Sequence, residues 1–378
     1  MKIIINLSGN YTGGCFQVGF SFLTECRNLE VHEYHVLLGE VFYKEFLQYS
    51  FPDNFYFYRI PLLKWYKLNH YVNNIVDDIK ADVAFSIFGP PYVRFSIPHL
   101  TGFAQGYYIY PESPYWDVCP LSERIKQFLK KKIHLFLYRK YSDAIVTETT
   151  DATERIKRIL GGKKKYYTVS NTCNSYFTDY TQGIPLLLPE RKEKEFRLLM
   201  VCTYRPHKNI ESIPFVIQKL LEKNIQDIRF VLTIDSVNFE RIFGNEEIRK
   251  YVYNVGYVNG STLPQLYSEC DALYLPTFIE CFSANYPEAM AMGKNILTSD
   301  LGFAHSVCKD AALYFDPCGY EDIATKIEII RKNEVLQSRL RENGYRILKQ
   351  DIPSSRQRAE RYLEICEEML TEKVTNSK

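Results

Sequence analysis

The chain has 378 residues, which is enough for two domains of ordinary size. Its 47 Lys and Arg residues and 45 Asp and Glu residues give a formal net charge of +2. A protein whose main partner is nucleic acid carries a marked basic excess, so this balance excludes that class. Hydrophobic residues make up 46% of the chain, yet no apolar run reaches the ~18 residues of a membrane span. Composition therefore predicts a soluble globular protein that at most contacts a membrane peripherally.

The start of the chain and its cysteines bear on the compartment. The opening MKIIINLSGN has an apolar run of three isoleucines, whereas a signal peptide needs an apolar core of about 7 to 15 residues. The ten cysteines are scattered singly, without a CxxC pair or the paired spacing of a zinc site. We therefore expect reduced thiols in a cytoplasmic protein.

The first half of the chain alternates short apolar segments with longer helical ones. KIIINL is typical of a buried strand, SGNYTGG of a loop and FQVGFSFLTECRNL of a helix. Further elements are the strands EYHVLL, ADVAFSIF and DAIVTET and the helix SERIKQFLKKKIHLFLYRKY. These strands are short, apolar and rich in β-branched residues, as buried parallel strands are.

The second half repeats this alternation. Its predicted strands are FRLLMVCTY, IRFVLTID, DALYLPT, NILTS and AALYFDP, and its predicted helices are IESIPFVIQKLLEKN, STLPQLYSEC and PEAMAM. Such alternation predicts right-handed βαβ units and parallel sheets.

The turn-rich, charged segment 171–195 has no periodicity and is the predicted linker between two domains. The N-terminal domain is predicted over 1–172 and the C-terminal domain over 190–353. The amphipathic helix over about 354–372 is expected to pack back on the first domain, by analogy with other two-domain proteins.

Two glutamates eight residues apart form the centre of the candidate site. Glu280 follows the predicted strand DALYLPT, so it lies at the carboxyl end of a strand, where open α/β sheets bind ligands. Glu288 lies near the start of the next predicted helix, whose free N–H groups attract a phosphate. Since a carboxylate repels a phosphate, the two glutamates suit hydroxyl groups on either side of it, as in a nucleotide sugar. The alternatives are a solvated loop glutamate for Glu280 and a helix-dipole partner for Glu288.

The sequence ECFSANYPEAMAMG, from Glu280 to Gly293, resembles the donor site of retaining nucleotide-sugar glycosyltransferases of the GT-B fold. In that family, glycosyltransferase family 4-like or "glycosyl transferases group 1", a glutamate is followed after seven residues by a second glutamate and Ala-Met-Ala-x-Gly. The resemblance implies an α/β fold of two Rossmann-like domains with parallel sheets facing a central cleft. It also implies that Glu280 lies at the donor sugar and the reacting centre, and that Glu288 holds the ribose hydroxyls.

The loop between the two glutamates departs from the family pattern. The usual Gly-Phe-Gly is Cys281-Phe282-Ser283 here, and the usual proline lies two residues late. Phe282, Ser283 and Ala284 are nevertheless candidate donor-binding residues, because this loop leads into the predicted helix start.

The charge of the diphosphate is expected to be neutralised by side chains, because the sequence contains no Asp-x-Asp metal motif. In the resembling family an Arg and a Lys after the first strand of the second domain bind the diphosphate. Lys208 matches that lysine, whereas the position of the arginine falls at Cys202 or Thr203, so Arg205 either substitutes for it or points away. In the alternative interpretation, PHKN is only a turn capped by Asn209.

The first domain supplies further candidates. Gly13 and Gly14 follow the first strand and allow close backbone approach to a ligand. The resemblance implies that this loop faces the leaving phosphate and the acceptor, and a plain tight turn is the alternative. Many family members place a histidine near the reacting centre, and His99 and Gln105 are the candidates here. A packed, hydrogen-bonded His99 is the alternative.

The segment KQFLKKKIHLFLYRK is basic and apolar, a combination that binds anionic lipid when it forms one helix face. A solvated surface helix is the alternative. The residues concerned are Lys126, Lys130, Lys131, Lys132, Arg139 and Lys140 beside Phe128, Leu129, Ile133, Leu135 and Phe136.

These features predict a metal-independent, cofactor-free enzyme that transfers a sugar from a nucleoside diphosphate sugar to a hydroxyl acceptor, with Glu280 and Lys208 as catalytic residues. The expected acceptor is a lipid-linked or surface-polysaccharide saccharide, as in lipopolysaccharide or capsule synthesis. Retention and front-face substitution are implied by the resemblance. The rival hypotheses are a GT-B nucleotide-sugar epimerase and a non-catalytic subunit that binds sugar nucleotides.

Overall fold

The computed structural model describes residues 1–9, 14–29, 31–46, 48–162, 164–181 and 185–376. The strands are β1 Lys2–Leu7, β2 Glu33–Leu38, β3 Phe55–Arg59, β4 Val83–Ser86, β5 His99–Gly102, β6 Ala144–Thr147, β7 Lys165–Thr168, β8 Phe196–Met200, β9 Ile228–Leu232, β10 Val252–Asn254, β11 Ala272–Leu275, β12 Asn295–Ser299 and β13 Ala312–Phe315.

The helices are α1 Gly14–Cys26, α2 Glu40–Phe46, α3 Trp65–Ile79, α4 Gly106–Ile109, α5 Tyr115–Val118, α6 Leu121–Tyr141, α7 Thr150–Leu160, α8 Ser175–Thr178, α9 Ile213–Glu222, α10 Ser236–Ile242, α11 Glu246–Arg249, α12 Leu263–Ser268, α13 Asn285–Ala291, α14 Gly302–Cys308, α15 Tyr320–Lys332, α16 Glu334–Gln350 and α17 Ser355–Asn376. Short 3-10 turns occur at Pro206–Lys208, Ile210–Ser212 and Gly260–Thr262. No helix among the described residues is both long and apolar enough to cross a membrane.

The first of two compact units is built on a seven-stranded parallel sheet in the order β3-β2-β1-β4-β5-β6-β7. Successive side chains of a strand point to opposite faces, and Ile3, Ile4 and Ile5 of β1 are all fully buried, so both faces are covered. Ile3 and Ile5 pack in one apolar cluster with Phe22 of α1, and Ile4 packs in another with Val72 of α3. This is the expected arrangement of a parallel sheet between helices.

The C-terminal helix α17 belongs to this first unit. Its fully buried Arg358 donates to Ser21 Oγ of α1 at 3.0 Å and hydrogen-bonds Asn171. One turn further along, the ring of Tyr362 packs against Phe22 and Phe85, with ring centroids 5.8 and 5.0 Å apart. Both polar and apolar contacts therefore hold α17 on this sheet.

The second unit comprises Tyr110–Pro120 and Thr172–Ile352 and contains a six-stranded parallel sheet in the order β10-β9-β8-β11-β12-β13. Leu273, Tyr274 and Leu275 of β11 are fully buried, as expected for a central strand. The prediction of an α/β fold with two parallel sheets is confirmed. The segment Tyr110–Pro120 lies within the predicted range 1–172 but packs with the second unit.

Candidate active site

The second sheet reverses its winding direction between β8 and β11. From β8 the chain continues outward to β9 and β10 on one side, and from β11 to β12 and β13 on the other. In open α/β sheets, ligands bind at the carboxyl ends of the two strands that flank such a reversal. The loop after β8 carries Lys208 and the loop after β11 carries Glu280, so both predicted catalytic residues lie at this position.

Lys208 and Glu280 form an ion pair in which the Lys208 Nζ donates to Glu280 Oε1. The two side chains are 16% and 14% exposed, so water screens their charges only in part. Burial alone would lower the pKa of Lys208, but the neighbouring Glu280 carboxylate outweighs it and the pKa is raised. Lys208 is therefore a fixed cation at the sheet edge.

The turn that carries Lys208 is braced against the loop that carries Glu280. The His207 carbonyl oxygen accepts hydrogen bonds from Thr277 Oγ1 at 3.0 Å and from the Phe278 N–H at 2.8 Å. Asn209 ends the turn in the left-handed conformation, with φ of 56°. Its buried amide donates to the carbonyl oxygens of Pro276 and Pro317 at 3.2 and 2.9 Å, which fixes the turn to two further loops.

The loop after Glu280 leads into α13 and presents backbone donors. The N–H groups of Ser283, Ala284 and Asn285 donate no hydrogen bond to any of the described residues. The Asn285 side chain donates to the Val201 carbonyl oxygen at 2.7 Å, so the start of α13 is tied to the end of β8. Three consecutive free amides, in the loop that follows the ion-pair partner of Lys208, can bind a phosphate.

Glu288 lies in the first turn of α13, buried at 8% exposure. The Tyr267 hydroxyl of α12 donates to its Oε2 at 3.0 Å. Burial raises the pKa of Glu288 to about 7, although the Tyr267 hydrogen bond opposes that rise. The two glutamates therefore have different electrostatic surroundings. Glu280 is paired with the Lys208 cation, and Glu288 is buried beside the neutral hydroxyl of Tyr267.

The remaining donor-side candidates lie around this pair. Arg205 precedes the Pro206–Lys208 turn, is exposed, and has no ion-pair partner among the residues that the structure describes. Phe282 and Ala284 are partly buried and Ser283 is buried. Phe282 is thus the aromatic side chain of the loop between the two glutamates that is accessible to a ligand.

The candidates of the first unit are more dispersed. Gly13 lies outside the described residues, and Gly14 begins α1. Gln105 is partly buried and follows the carboxyl end of β5, whereas His99 begins that strand.

His99 is buried and both of its ring nitrogens have partners. Nε2 lies 2.8 Å from Ser86 Oγ, and Nδ1 lies 2.8 Å from the Tyr141 carbonyl oxygen. Burial lowers the pKa of His99 to about 4. These are the contacts of a packed, hydrogen-bonded histidine.

Sequence reasoning missed three residues that shape the site. Tyr267 and Asn285 hold Glu288 and the start of α13, and Ser113 of the Tyr110–Pro120 segment donates to the Phe278 carbonyl oxygen at 2.8 Å. The spacing of Tyr267 in LPQLYSEC shows only that it belongs to a helix. No pattern in the first half of the chain indicates that Ser113 supports the loop before Glu280.

The family comparison concerns this second unit. Residues 189–347 match the family model described as glycosyl transferases group 1. This match covers most of the second compact unit. The match includes Glu280 and Glu288 and confirms the resemblance to group 1 glycosyltransferases seen there.

One curated relative is the O-antigen chain mannosyltransferase RfbU of Salmonella typhimurium. It is 31% identical over 130 residues, which cover 34% of this chain and 36% of that protein. The chain thus spans about a third of the length of the curated relatives it matches.

Solved structures extend the comparison to the whole chain. A glycosyltransferase from Rickettsia africae is similar with a TM-score of 0.73 and 15% identity, covering 98% of both chains. Alr3699/HepE of Anabaena, solved in complex with UDP-glucose, is similar with a TM-score of 0.70 and 14% identity, covering 96% of this chain and 99% of that one. At such identities the likeness establishes the GT-B fold.

Proposed function

We propose that this protein transfers a sugar from a nucleoside diphosphate sugar to a hydroxyl acceptor, with retention of configuration and without a metal ion. The observation that carries the proposal is the Lys208–Glu280 ion pair beside the free amides of Ser283, Ala284 and Asn285. A diphosphate needs a cation and N–H donors, and a transferred sugar needs a carboxylate, and all three lie at the ligand-binding edge of one sheet.

In the proposed reaction the donor's diphosphate replaces Glu280 as the ion-pair partner of Lys208. Lys208 and the α13 amides hold the diphosphate, and the freed Glu280 carboxylate faces the sugar ring, where positive charge develops. The acceptor oxygen bonds to the anomeric carbon on the face from which the diphosphate leaves. Its proton passes to the departing phosphate oxygen, and Lys208 and the amides stabilise the charge of the leaving group. Glu288 accepts hydrogen bonds from the ribose hydroxyls.

The proposed acceptor is a lipid-linked or surface-polysaccharide saccharide. The similarity to an O-antigen chain mannosyltransferase supports this class, because O-antigen is a surface polysaccharide. The exposed basic helix α6 also supports an acceptor presented at a lipid surface.

The first prediction concerns the metal and Lys208. With EDTA present, the purified chain should release nucleoside diphosphate from its cognate donor within a panel of UDP-, GDP- and ADP-sugars. Lys208→Met should weaken binding of the bare nucleoside diphosphate by about 10- to 100-fold, because it removes a charge-assisted hydrogen bond. The matched control is Lys219→Met on α9 of the same unit, where the lysine pairs with Glu222 at the surface.

Calorimetry of nucleotide binding and a coupled assay for nucleoside diphosphate release measure both effects. An absolute requirement for Mn²⁺ or Mg²⁺, or an unchanged affinity in Lys208→Met, would contradict the proposal. Interconversion of two donor sugars without an acceptor would instead identify an epimerase. Tight donor binding without turnover, across a panel of saccharide acceptors, would identify a non-catalytic subunit.

A further inference from the structure

Helix α6 has apolar side chains on two different faces. On one face, Leu135 and Tyr138 are buried in the first unit. On the other, six large apolar side chains that the sequence spaces along one helical face are each between 53% and 71% exposed. We call this set the α6 stripe; it consists of Leu121, Ile125, Phe128, Leu129, Ile133 and Phe136.

A contiguous exposed stripe of this kind is unusual on a soluble protein and marks an interaction surface. The residues of the α6 stripe differ from the apolar residues that the sequence predicted for this face. Leu135 is buried at 6% exposure and therefore cannot contribute, whereas Leu121 and Ile125 extend the stripe by about two turns towards the start of the helix.

The stripe is accompanied by a strong local positive charge. Helix α6 contains seven basic residues and one acidic residue, although the whole chain carries a formal charge of only +2. The acidic residue, Glu123, accepts hydrogen bonds from Lys126 and Gln127. The basic residues are Arg124, Lys126, Lys130, Lys131, Lys132, Arg139 and Lys140.

Cations also lie directly on the stripe. The Lys132 ammonium lies 4.6 Å from the centre of the Phe128 ring, and the Lys140 ammonium lies 5.5 Å from that of Phe136. Both rings nevertheless remain more than half exposed. The lysine stems can therefore follow the rings into an apolar layer while their ammonium groups stay at its charged boundary.

We propose that the α6 stripe inserts among the headgroups of an anionic lipid surface, with the α6 lysines bound to lipid phosphates. An apolar helix face bordered by Lys and Arg is the surface that lies in such an interface. A second copy of the chain is disfavoured as occupant, because pairing two α6 faces would bring fourteen basic residues together. The proposal does not depend on transferase activity and predicts binding by the protein without donor or acceptor.

The charge is tested with Lys126→Glu/Lys130→Glu/Lys132→Glu in vesicle flotation. The probe is vesicles of phosphatidylcholine with and without phosphatidylglycerol. Each basic residue near an anionic surface contributes about fivefold to the binding constant, so the triple variant should lose about 100-fold or more on the mixed vesicles. Added salt should also weaken the binding of the wild-type protein to the mixed vesicles.

The control for charge is Lys194→Glu/Lys250→Glu/Lys332→Glu, which makes the same change of net charge at exposed lysines of the second unit. It should bind mixed vesicles as the wild type does. Equal losses of vesicle binding in both triple variants would show that only the net charge of the protein matters, and would overturn the proposal.

The stripe is tested with Ile125→Ser/Phe128→Ser/Ile133→Ser, whose side chains are exposed and whose loss should leave the fold intact. This variant should bind mixed vesicles at least about tenfold more weakly and lose the binding that survives at high salt. The control is Leu62→Ser/Val237→Ser/Val335→Ser, at exposed apolar positions outside α6. It should behave as the wild type.

Three outcomes would overturn the proposal. The first is that the serine variant binds like the wild type, and the second is that phosphatidylcholine alone binds as well as the anionic mixture. The third is that light scattering shows a wild-type dimer that the serine variant converts to monomer. The last result would assign the stripe to a second copy of the chain. Circular dichroism of each variant, compared with its control, verifies that the fold is retained.

Discussion

At the scale of single residues, the site separates two carboxylates by their surroundings. Glu280 is paired with the Lys208 cation, while Glu288 is buried with the Tyr267 hydroxyl and has a pKa raised to about 7. Groups with such different environments are suited to different tasks. We assign the paired carboxylate to the reacting sugar and the buried one to the nucleotide.

Glu→Gln substitutions separate these tasks, because Gln keeps the shape and an acceptor oxygen but removes the charge. Glu280→Gln frees Lys208 from its ion pair, so nucleoside diphosphate affinity should be unchanged or higher. The variant should lower kcat about 100-fold, since it acts on charge that develops in the transition state. Glu288→Gln should weaken nucleoside diphosphate and donor alike by about fivefold and appear mainly in KM. Exposed Glu321→Gln is the control. Equal affinity losses in both variants with unchanged kcat would refute the assignment.

Glu288 also predicts a pH dependence. Ribose hydroxyls donate to the ionised form of Glu288, so nucleotide binding below pH 7 should release the proton of its carboxyl group. Nucleotide affinity should therefore fall by up to about tenfold for each unit that the pH drops below 7. Calorimetry of donor-sugar binding in buffers of different ionisation enthalpy measures the released proton, because the diphosphate of a donor sugar has no group of its own that titrates near pH 7. Glu288→Gln should abolish the release. Binding without proton release on either side of pH 7 would place the ribose elsewhere.

The Glu288 carboxyl group should make the folded protein less stable as pH rises, whereas it makes nucleotide binding tighter. The pKa of Glu288 is raised in the folded state from 4.5 to about 7, so folding favours the protonated form. Its contribution to the free energy of unfolding is complete below pH 4.5 and is lost as pH rises through 7. Glu288→Gln should therefore flatten the fall in unfolding free energy across this interval while it weakens the nucleotide complex.

At the scale of elements, the site depends on how loops are tied to one another. Asn209 connects the turn after β8 to the loops after β11 and β13, and Asn285 connects the start of α13 to the end of β8. Each bond joins segments from different strands of the sheet. Lys208 thus meets Glu280 because these loops are cross-linked, although 72 residues separate the two in the sequence.

Substitution of Asn209 tests this cross-linking. Asn209→Gly loses two buried hydrogen bonds and should lower the free energy of unfolding by about 1–3 kcal/mol. Asn209→Ala should cost about 1 kcal/mol more, since its φ of 56° is in the left-handed region. Asn224, with φ of 58° and no side-chain hydrogen bond among the described residues, is the matched control. Asn224→Ala should show the backbone cost alone.

Urea unfolding and nucleoside diphosphate affinity are the measurements for these variants. Both Asn209 variants should also bind nucleotide more weakly, because the turn that carries Lys208 loses its fixed position. If Asn209→Gly is as stable as the wild type and binds nucleotide equally well, the turn is held by other contacts.

At the scale of the whole molecule, sequence periodicity predicted the central strands. Long apolar runs such as KIIINL, IRFVLTID and DALYLPT form β1, β9 and β11, since strands buried on both faces need side chains that are apolar throughout. The fold class and the positions of Glu280 and Lys208 after strands β11 and β8 followed from these runs. The resemblance to group 1 glycosyltransferases followed from the motif that begins at Glu280.

The strands β5 and β7 of the first sheet escaped prediction for a physical reason. HLTG and KYYT, which form β5 and β7, are four residues long and contain polar residues, so their pattern is indistinguishable from loop. The pairing of Lys208 with Glu280 and the partner of Glu288 also escaped, because both are tertiary contacts. Local patterns place residues on elements, and packing alone decides which elements meet.

The chain passes between its two compact units four times, after residues 109, 120, 171 and 352. A single exchange between the two units would fall at the start of the predicted linker, at residue 171. A chimera joined there would keep Tyr110–Pro120 from one parent while the Phe278 carbonyl that receives the Ser113 hydroxyl came from the other. Inheritance of the second unit as a working module therefore requires two separate segments of the chain to be inherited together.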